Sequence, residues 1–348
     1  MTHEFSCMAT GIGSLPLAEP DAAVALALRY LPEAPIWPQL PKRGFQEHMG
    51  GQYSEALPGI VRDEARQRFF FDTTGDLSAG LERFYERYLA QDYDFFGLSE
   101  QYAAGFFALL RALAKSPPAR ARYLKGHITG PLTAGISYKD ENGRDIIHHE
   151  QLFDAVVKKL AMNAVWQIRK LGAFGKPVII FLDEPAMETL GSAFSPAAPE
   201  LVAEKLEEII EAIHGAGGIA GVHCCGNADW PLIFNTRVDI VNFDAFDYLE
   251  RVLLYPEELR AFFARGGALA WGIVPTGGAG VAASAAELVA RVEVGIDRLQ
   301  AAGIARAVIL RQSIVTPSCG LGSLTPAHAE AILRLTLEVS ERLRSTLP

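Results

Sequence analysis

Short, uninterrupted apolar runs recur along the 348 residues, each followed by a polar or glycine-rich turn and then a helical pattern. Runs such as VIIFL show no polar alternation, which suits strands of a parallel sheet buried on both faces. The strand candidates cover 9–15, 95–98, 124–129, 178–183, 220–225, 240–244, 268–274 and 307–312. Helical patterns occupy 21–30, 101–114, 151–171, 199–215, 256–265, 284–302 and 326–344. Helix starts carry their own signals: Ser284 stands three residues before Glu287, and Thr325 precedes Pro326 at the first helical position. Eight strand–helix units predict an α/β fold, a (β/α)8 TIM barrel forming one domain over 1–348. A doubly wound open sheet is the competing architecture. It lacks its nucleotide fingerprint here, because no G-x-G-x-x-G follows the first strand.

One unit is irregular. After Tyr30 comes a stretch rich in Pro, Trp and other aromatic residues, an insertion over 31–92 that is far longer than an ordinary loop. Its apolar content predicts a packed segment, with FFFD and the residues before it forming a hairpin at one edge of the barrel. Composition narrows the function classes. Lys and Arg number 32 against 41 Asp and Glu, a net charge of −9 that argues against nucleic-acid binding. No run approaches the ~20 apolar residues of a membrane helix. The N-terminus lacks a basic region followed by an apolar core, so a cytoplasmic location is expected. Four cysteines do not make a disulfide scaffold, and near a histidine they suggest metal chemistry.

In such a barrel the active-site residues sit at the C-terminal ends of strands. The strand ends here supply Ile12-Gly13-Ser14, Glu100, Thr129-Gly130-Pro131, Asp183-Glu184-Pro185, His223-Cys224-Cys225, Asp244 and Ser318-Cys319-Gly320. His223 and Cys225 are two apart on an extended segment and point the same way. Cys319 follows the last strand, which barrel closure brings back to the same mouth. His, Cys and Cys are zinc ligands, and three of them with an open fourth position describe a catalytic site. On spacing alone the alternative of small buried hydrophobes and one structural histidine stays open. Cys224 and Cys7 are expected to be core residues. Asp183 and Glu184 suggest a site for a cation such as a substrate ammonium, or else a charge offsetting a helix dipole. His148 and His149 lie in a charged loop and are expected at the surface, whereas His48 and Met49 sit in the aromatic insertion.

The motifs GIGSLP, GPLTAG, FLDEPAM, GVHCCGN and TPSCGLGSL, in this order, resemble the C-terminal catalytic barrel of cobalamin-independent methionine synthase. The resemblance runs from Ile12 to the final helix, and the insertion is similar to that of the short, single-barrel members, the core methionine synthases. Relatives include corrinoid-dependent coenzyme M methyltransferases and, more distantly, uroporphyrinogen decarboxylase. The resemblance implies that His223, Cys225 and Cys319 hold Zn2+, with Asp244 in the place of the family's glutamate ligand. It implies that Ile12, Gly13 and Ser14 meet the carboxylate of an amino-acid substrate, and that Asp183, with Glu100, holds its ammonium.

Two departures bear on the methyl donor. The chain has one barrel where the long enzyme has two. The family's histidine that protonates a folate leaving group has no counterpart in GIVPTGGAGVAAS. A folate amine needs a proton to leave, whereas cobalt departs as Co(I). The implied function is a zinc-dependent transfer of a methyl group to the thiol of homocysteine, from a methyl-corrinoid such as methylcobalamin or a corrinoid protein partner. The alternatives are a methyltransferase acting on another thiol such as coenzyme M, a decarboxylase similar to uroporphyrinogen decarboxylase, and a non-catalytic zinc-binding or methyl-carrier accessory protein.

Overall fold

The computed structural model of the chain describes residues 3–190, 195, 197–277 and 283–346. Its strands are β1 (Met8–Ala9), β2 (Ile60–Asp63), β3 (Arg68–Phe71), β4 (Leu124–Thr129), β5 (Val178–Asp183), β6 (Ile219–Cys224), β7 (Ile240–Phe243), β8 (Ala268–Val274) and β9 (Ser313–Pro317). Seven form a curled parallel sheet in the order β1-β9-β8-β7-β6-β5-β4. The two ends are joined by an extended segment over 35–39. It bridges Ile36 to Lys125 on one side and Gln39 to Ser14 on the other, both in parallel register. Trp37 N–H donates to the Lys125 carbonyl and Gln39 N–H to that of Gly13. The ring is thereby closed, as a TIM barrel requires.

Two expected strands are corrected. Residues 95–98 are a series of turns, and the second barrel position is taken by 35–39 from within the insertion. The aromatic run at 95–98 packs on the helix Glu150–Gly172, whose Lys159 Nζ and Asn163 Nδ2 both donate to the Phe96 carbonyl. Residues 307–312 fall largely in a helix, Arg306–Arg311, and the last strand begins at Ser313. A short apolar run does not distinguish a buried helical turn from a strand, and the β-branched residues of SIVTP lie one step further on. The hairpin expected around FFFD is β2–β3, antiparallel, with Val61 opposite Phe70.

The long helices lie where the apolar periodicity predicts, with Pro199–Gly215 and Pro326–Arg344 matching end to end. Ser284 and Glu287 form a reciprocal capping box, and the Thr325 hydroxyl accepts from His328 N–H. No helix among the described residues is long and apolar enough to cross a membrane.

Inside the ring, alternation along each strand sorts residues into layers. An apolar cluster there contains Met8, Ile179, Phe181, Ile219, Ile240 and Ile314. Buried polar residues at or beside the strands include Thr10, Lys125, His127, Asn242 and Thr316. The C-terminal ends of the strands carry the candidate site residues.

Candidate metal centre and substrate pocket

His223 lies near the end of β6 in register with Asp183 of β5 and Asn242 of β7, so all three side chains face the barrel axis. Cys225 follows two residues later on the same side. Cys224, between them, is fully buried outside the ring, as expected of a packing residue. Cys319 arrives in the loop after β9. That loop is pinned to the turn after β1: Leu321 N–H donates to the Ser14 carbonyl (3.0 Å) and Gly322 N–H to Ser14 Oγ (3.1 Å). A Cβ at Gly320 would collide with Ser14 Oγ, which is why C-G-L-G permits so close an approach. The ligand atoms of His223, Cys225 and Cys319 all lie within 4.8 Å of one another.

This donor set fits zinc. One imidazole nitrogen and two sulfurs are borderline-soft ligands, and three protein ligands leave a position facing the cavity. A hydrogen bond between the two sulfurs pushes the Cys225 thiol up and draws the Cys319 thiol down. Asp244 is adjacent but outside this cluster. Its Oδ1 accepts from Phe246 N–H and Asp247 N–H at 2.9 Å each and turns the chain after β7.

The cluster forms the floor of a cavity of about 480 Å³. Ile12, Ser14 and Asp183 line it beside the His/Cys cluster, and the insertion supplies Gln39, His48 and Met49. The Met49 carbonyl accepts from Thr129 Oγ1 at 3.0 Å, which seats the insertion on the end of β4. His48 Nε2–H donates to the Pro41 carbonyl at 3.1 Å. Gly13 sits between the two lining residues, and a Cβ there would lie 2.9 Å from the His127 ring.

The two acids of D-E-P-A divide their roles. Asp183 is 6% exposed, and its Oδ1 is buried with no hydrogen-bond partner among the described residues. Burial pushes its carboxyl up to about 6, against the opposing pull of His223 and Lys125. Lys125, opposite Ile179 in the β4–β5 register, donates from Nζ to the Ile12 carbonyl at 2.5 Å, and burial draws its ammonium down to about 7. Glu184 points the other way, into the start of the helix Pro131–Ser137. Its Oε1 accepts from Leu132 N–H (2.8 Å), and its Oε2 accepts from Thr133 N–H (2.8 Å) and Thr133 Oγ1 (2.6 Å). Glu184 thus takes the second reading of this acidic pair, a charge at a helix start, while Asp183 faces the cavity. Replacing Glu184 by Gln puts an amide NH2 where an acceptor is needed. Urea unfolding of Glu184→Gln should show a loss of about 1–3 kcal/mol, and an unchanged midpoint would remove Glu184 from this capping role.

Glu100 is placed away from the cavity. It is exposed and pairs with Arg111 at 2.7 Å, because the segment before it is not a barrel strand. His148 is exposed and His149 half-buried. Cys7 is buried, with its Sγ donating to the Leu310 carbonyl. Sequence reasoning missed Lys125, His127 and Asn242. Their signal is present: a charged or polar residue inside an apolar strand, two or four positions from a strand-end site residue, lies on the same inner face.

No protein-family model matches the chain, and no curated protein matches it. Among solved structures it is similar to a B12-independent methionine synthase from Shewanella sp. W3-18-1 in complex with selenomethionine. The TM-score is 0.59 and the sequence identity 16%, over 98% of this chain and 99% of that one. The likeness extends the whole length of both chains and is one of fold.

Proposed function

We propose that the chain is a zinc-dependent methyltransferase that methylates the thiol of homocysteine to form methionine. The observation that carries this reading is the meeting of His223, Cys225 and Cys319 in one cavity with the unpartnered Oδ1 of Asp183. The motif resemblance supports it, as does the structural likeness to a B12-independent methionine synthase.

Zinc bound by these three residues would supply a positive charge that keeps an acceptor sulfur deprotonated near neutral pH. The chain's own groups do the rest. Asp183 pairs with the substrate ammonium, which relieves its missing partner. The backbone of Ile12, Gly13 and Ser14 meets the substrate carboxylate, with the Lys125 ammonium fixing that turn. Together these contacts aim the sulfur into the cavity, and alignment of this kind supplies much of the rate in an in-line transfer. The sulfur–methyl bond forms as the donor bond breaks, and the leaving group departs with the electron pair. Asp244, beside the cluster, would serve as a weaker, displaceable oxygen ligand to the zinc, since only one of its carboxylate oxygens is used by its turn. Glu100 has no role in substrate binding on this reading, given its place outside the cavity. Four free cysteines suit a reducing compartment, and we place the reaction in the cytoplasm.

For the donor we propose a methyl-corrinoid, free or carried by a corrinoid protein. The support is chemical: 272–284 contains no histidine, and Co(I) leaves without a proton. Residues 278–282 of that stretch lie outside the described residues. The cavity is far smaller than a corrinoid, so only the methyl face of such a donor would enter. A second reading, methyl-folate, is favoured by His48, which lines the cavity and is able to protonate a departing nitrogen. The B12-independent neighbour supports the same alternative. General acid assistance is worth about 10²–10⁴-fold. Turnover of homocysteine with methylcobalamin is expected to exceed turnover with methyl-folate by a factor in that range. Methyl-folate turnover at an equal rate, abolished in His48→Ala, would select the second donor. Transfer to coenzyme M would leave Asp183 without its partner, and a decarboxylase would have no use for the metal ligands. Neither alternative accounts for the whole cavity.

A further inference from the structure

His223 reaches the cluster through a side chain that has two chemically different nitrogens. A neutral imidazole is a ligand only through the nitrogen without hydrogen. Its other nitrogen, Nδ1, lies 2.5 Å from Oδ1 of Asn242, its in-register neighbour on β7. The orientation of the Asn242 amide follows from its remaining contacts. Nδ2 stands 2.8 Å from the Ala270 carbonyl on β8 and 2.8 Å from Thr316 Oγ1 on β9. A carbonyl oxygen only accepts, so the amide NH2 must face Ala270, and Oδ1 must face His223. An amide oxygen also only accepts, so Nδ1 must carry the hydrogen. Asn242 and Thr316 are fully buried and His223 is 3% exposed, which leaves no bulk water to take over either contact.

We propose that Asn242 is a positioning residue that locks His223 in its Nδ1–H form and thereby dedicates Nε2 to the metal. The inference rests on the zinc reading for its purpose but not for its chemistry, since the hydrogen-bond chain exists in the protein alone. It makes β7, β8 and β9 contribute to the metal centre through one amide. Partners of this kind behind a ligating histidine are worth about 10- to 100-fold in metal affinity.

The test uses the full chain. Long-range ¹H–¹⁵N spectra of the metal-free protein at neutral pH should show His223 as the single Nδ1–H tautomer. In Asn242→Leu, close in volume and without an acceptor, the signature should shift toward Nε2–H or a mixture. Zinc affinity, measured by competition with a chromophoric chelator, should weaken by about 10- to 100-fold. Asn242→Asp keeps an acceptor for Nδ1–H but loses the donors to Ala270 and Thr316. It should be less stable yet hold zinc more tightly than Asn242→Leu, an order that a purely structural role would not produce. Observation of Nε2–H in the wild-type protein would overturn the proposal. So would zinc affinity in a folded Asn242→Leu within twofold of wild type. If Asn242→Leu does not fold, the wild-type tautomer decides alone. A wild-type protein that shows Nδ1–H but binds no zinc would overturn the zinc reading and leave the tautomer lock standing.

Discussion

Cys319→Ser should abolish stoichiometric zinc binding and, with it, thiol methylation. The wild-type protein is expected to hold about one zinc per chain through its three clustered residues. Removing a direct ligand should cost more than the 10- to 100-fold typical of a group one step removed, so an affinity loss above about 100-fold is expected. His223→Ala and Cys225→Ser should behave alike. Asp244→Asn should cost less, because Oδ1 of Asp244 already serves the turn at Phe246 and Asp247. Metal content after dialysis and turnover of homocysteine measure these effects. Unfolding gives an independent readout: free zinc at a thousand times its dissociation constant should add about 4 kcal/mol to the wild type and little to Cys319→Ser. Full zinc content and full activity in Cys319→Ser would falsify the site assignment.

The second large effect belongs to Asp183. Its buried Oδ1 lacks a partner among the described residues, and a substrate ammonium would supply one. Asp183→Asn should therefore depress kcat/KM for homocysteine by the value of a broken buried charge pair, about 3–5 kcal/mol. That corresponds to roughly 150- to 5,000-fold. A simple thiol without an amine should be nearly unaffected, and equal losses on both thiols would show that Asp183 serves another purpose. The same substitution has a pH signature in the metal-free protein. Burial raises the Asp183 carboxyl from its ordinary 3.8 to about 6, so the folded state binds a proton that the unfolded state has released between those values. This contribution to stability is fully present below about pH 4 and is lost as pH rises through about 6. Asparagine has no such term. Asp183→Asn should thus gain on the wild type as pH rises through that window, by up to about 3 kcal/mol, in paired urea titrations. A constant difference from pH 4 to 7 would contradict a buried, proton-linked Asp183.

The donor question and the metal question involve different residues of one cavity. Strand ends of the barrel supply the His/Cys cluster, and the insertion supplies Gln39, His48 and Met49. A donor screen reports on the insertion residues, and zinc titration reports on the cluster.

Periodicity along the chain by itself determined the strand–helix alternation and hence the barrel, because a strand buried on both faces and an amphipathic helix leave local signatures. It also placed the helix caps at Ser284 and Thr325, where four consecutive residues decide the outcome. The short distance between His223 and Cys225 made them neighbours in any extended segment. Cys319 could be joined to them only by supposing ring closure, a non-local event. Tertiary structure alone decided the rest. The second barrel strand is 35–39 rather than 95–98, because closure depends on which backbone can bond both Ser14 and Lys125. Glu100 is carried out to solvent with the loop that holds it. Asp183 and Glu184 are adjacent in sequence and both acidic, yet the pleat sends one to the cavity and the other to a helix start. Asn242 acquires its place behind His223 only because β6 and β7 pair in the register that sets them side by side. In each case the residue type was legible in the chain. Its partner was set by pairing between strands far apart in sequence, which no local pattern encodes.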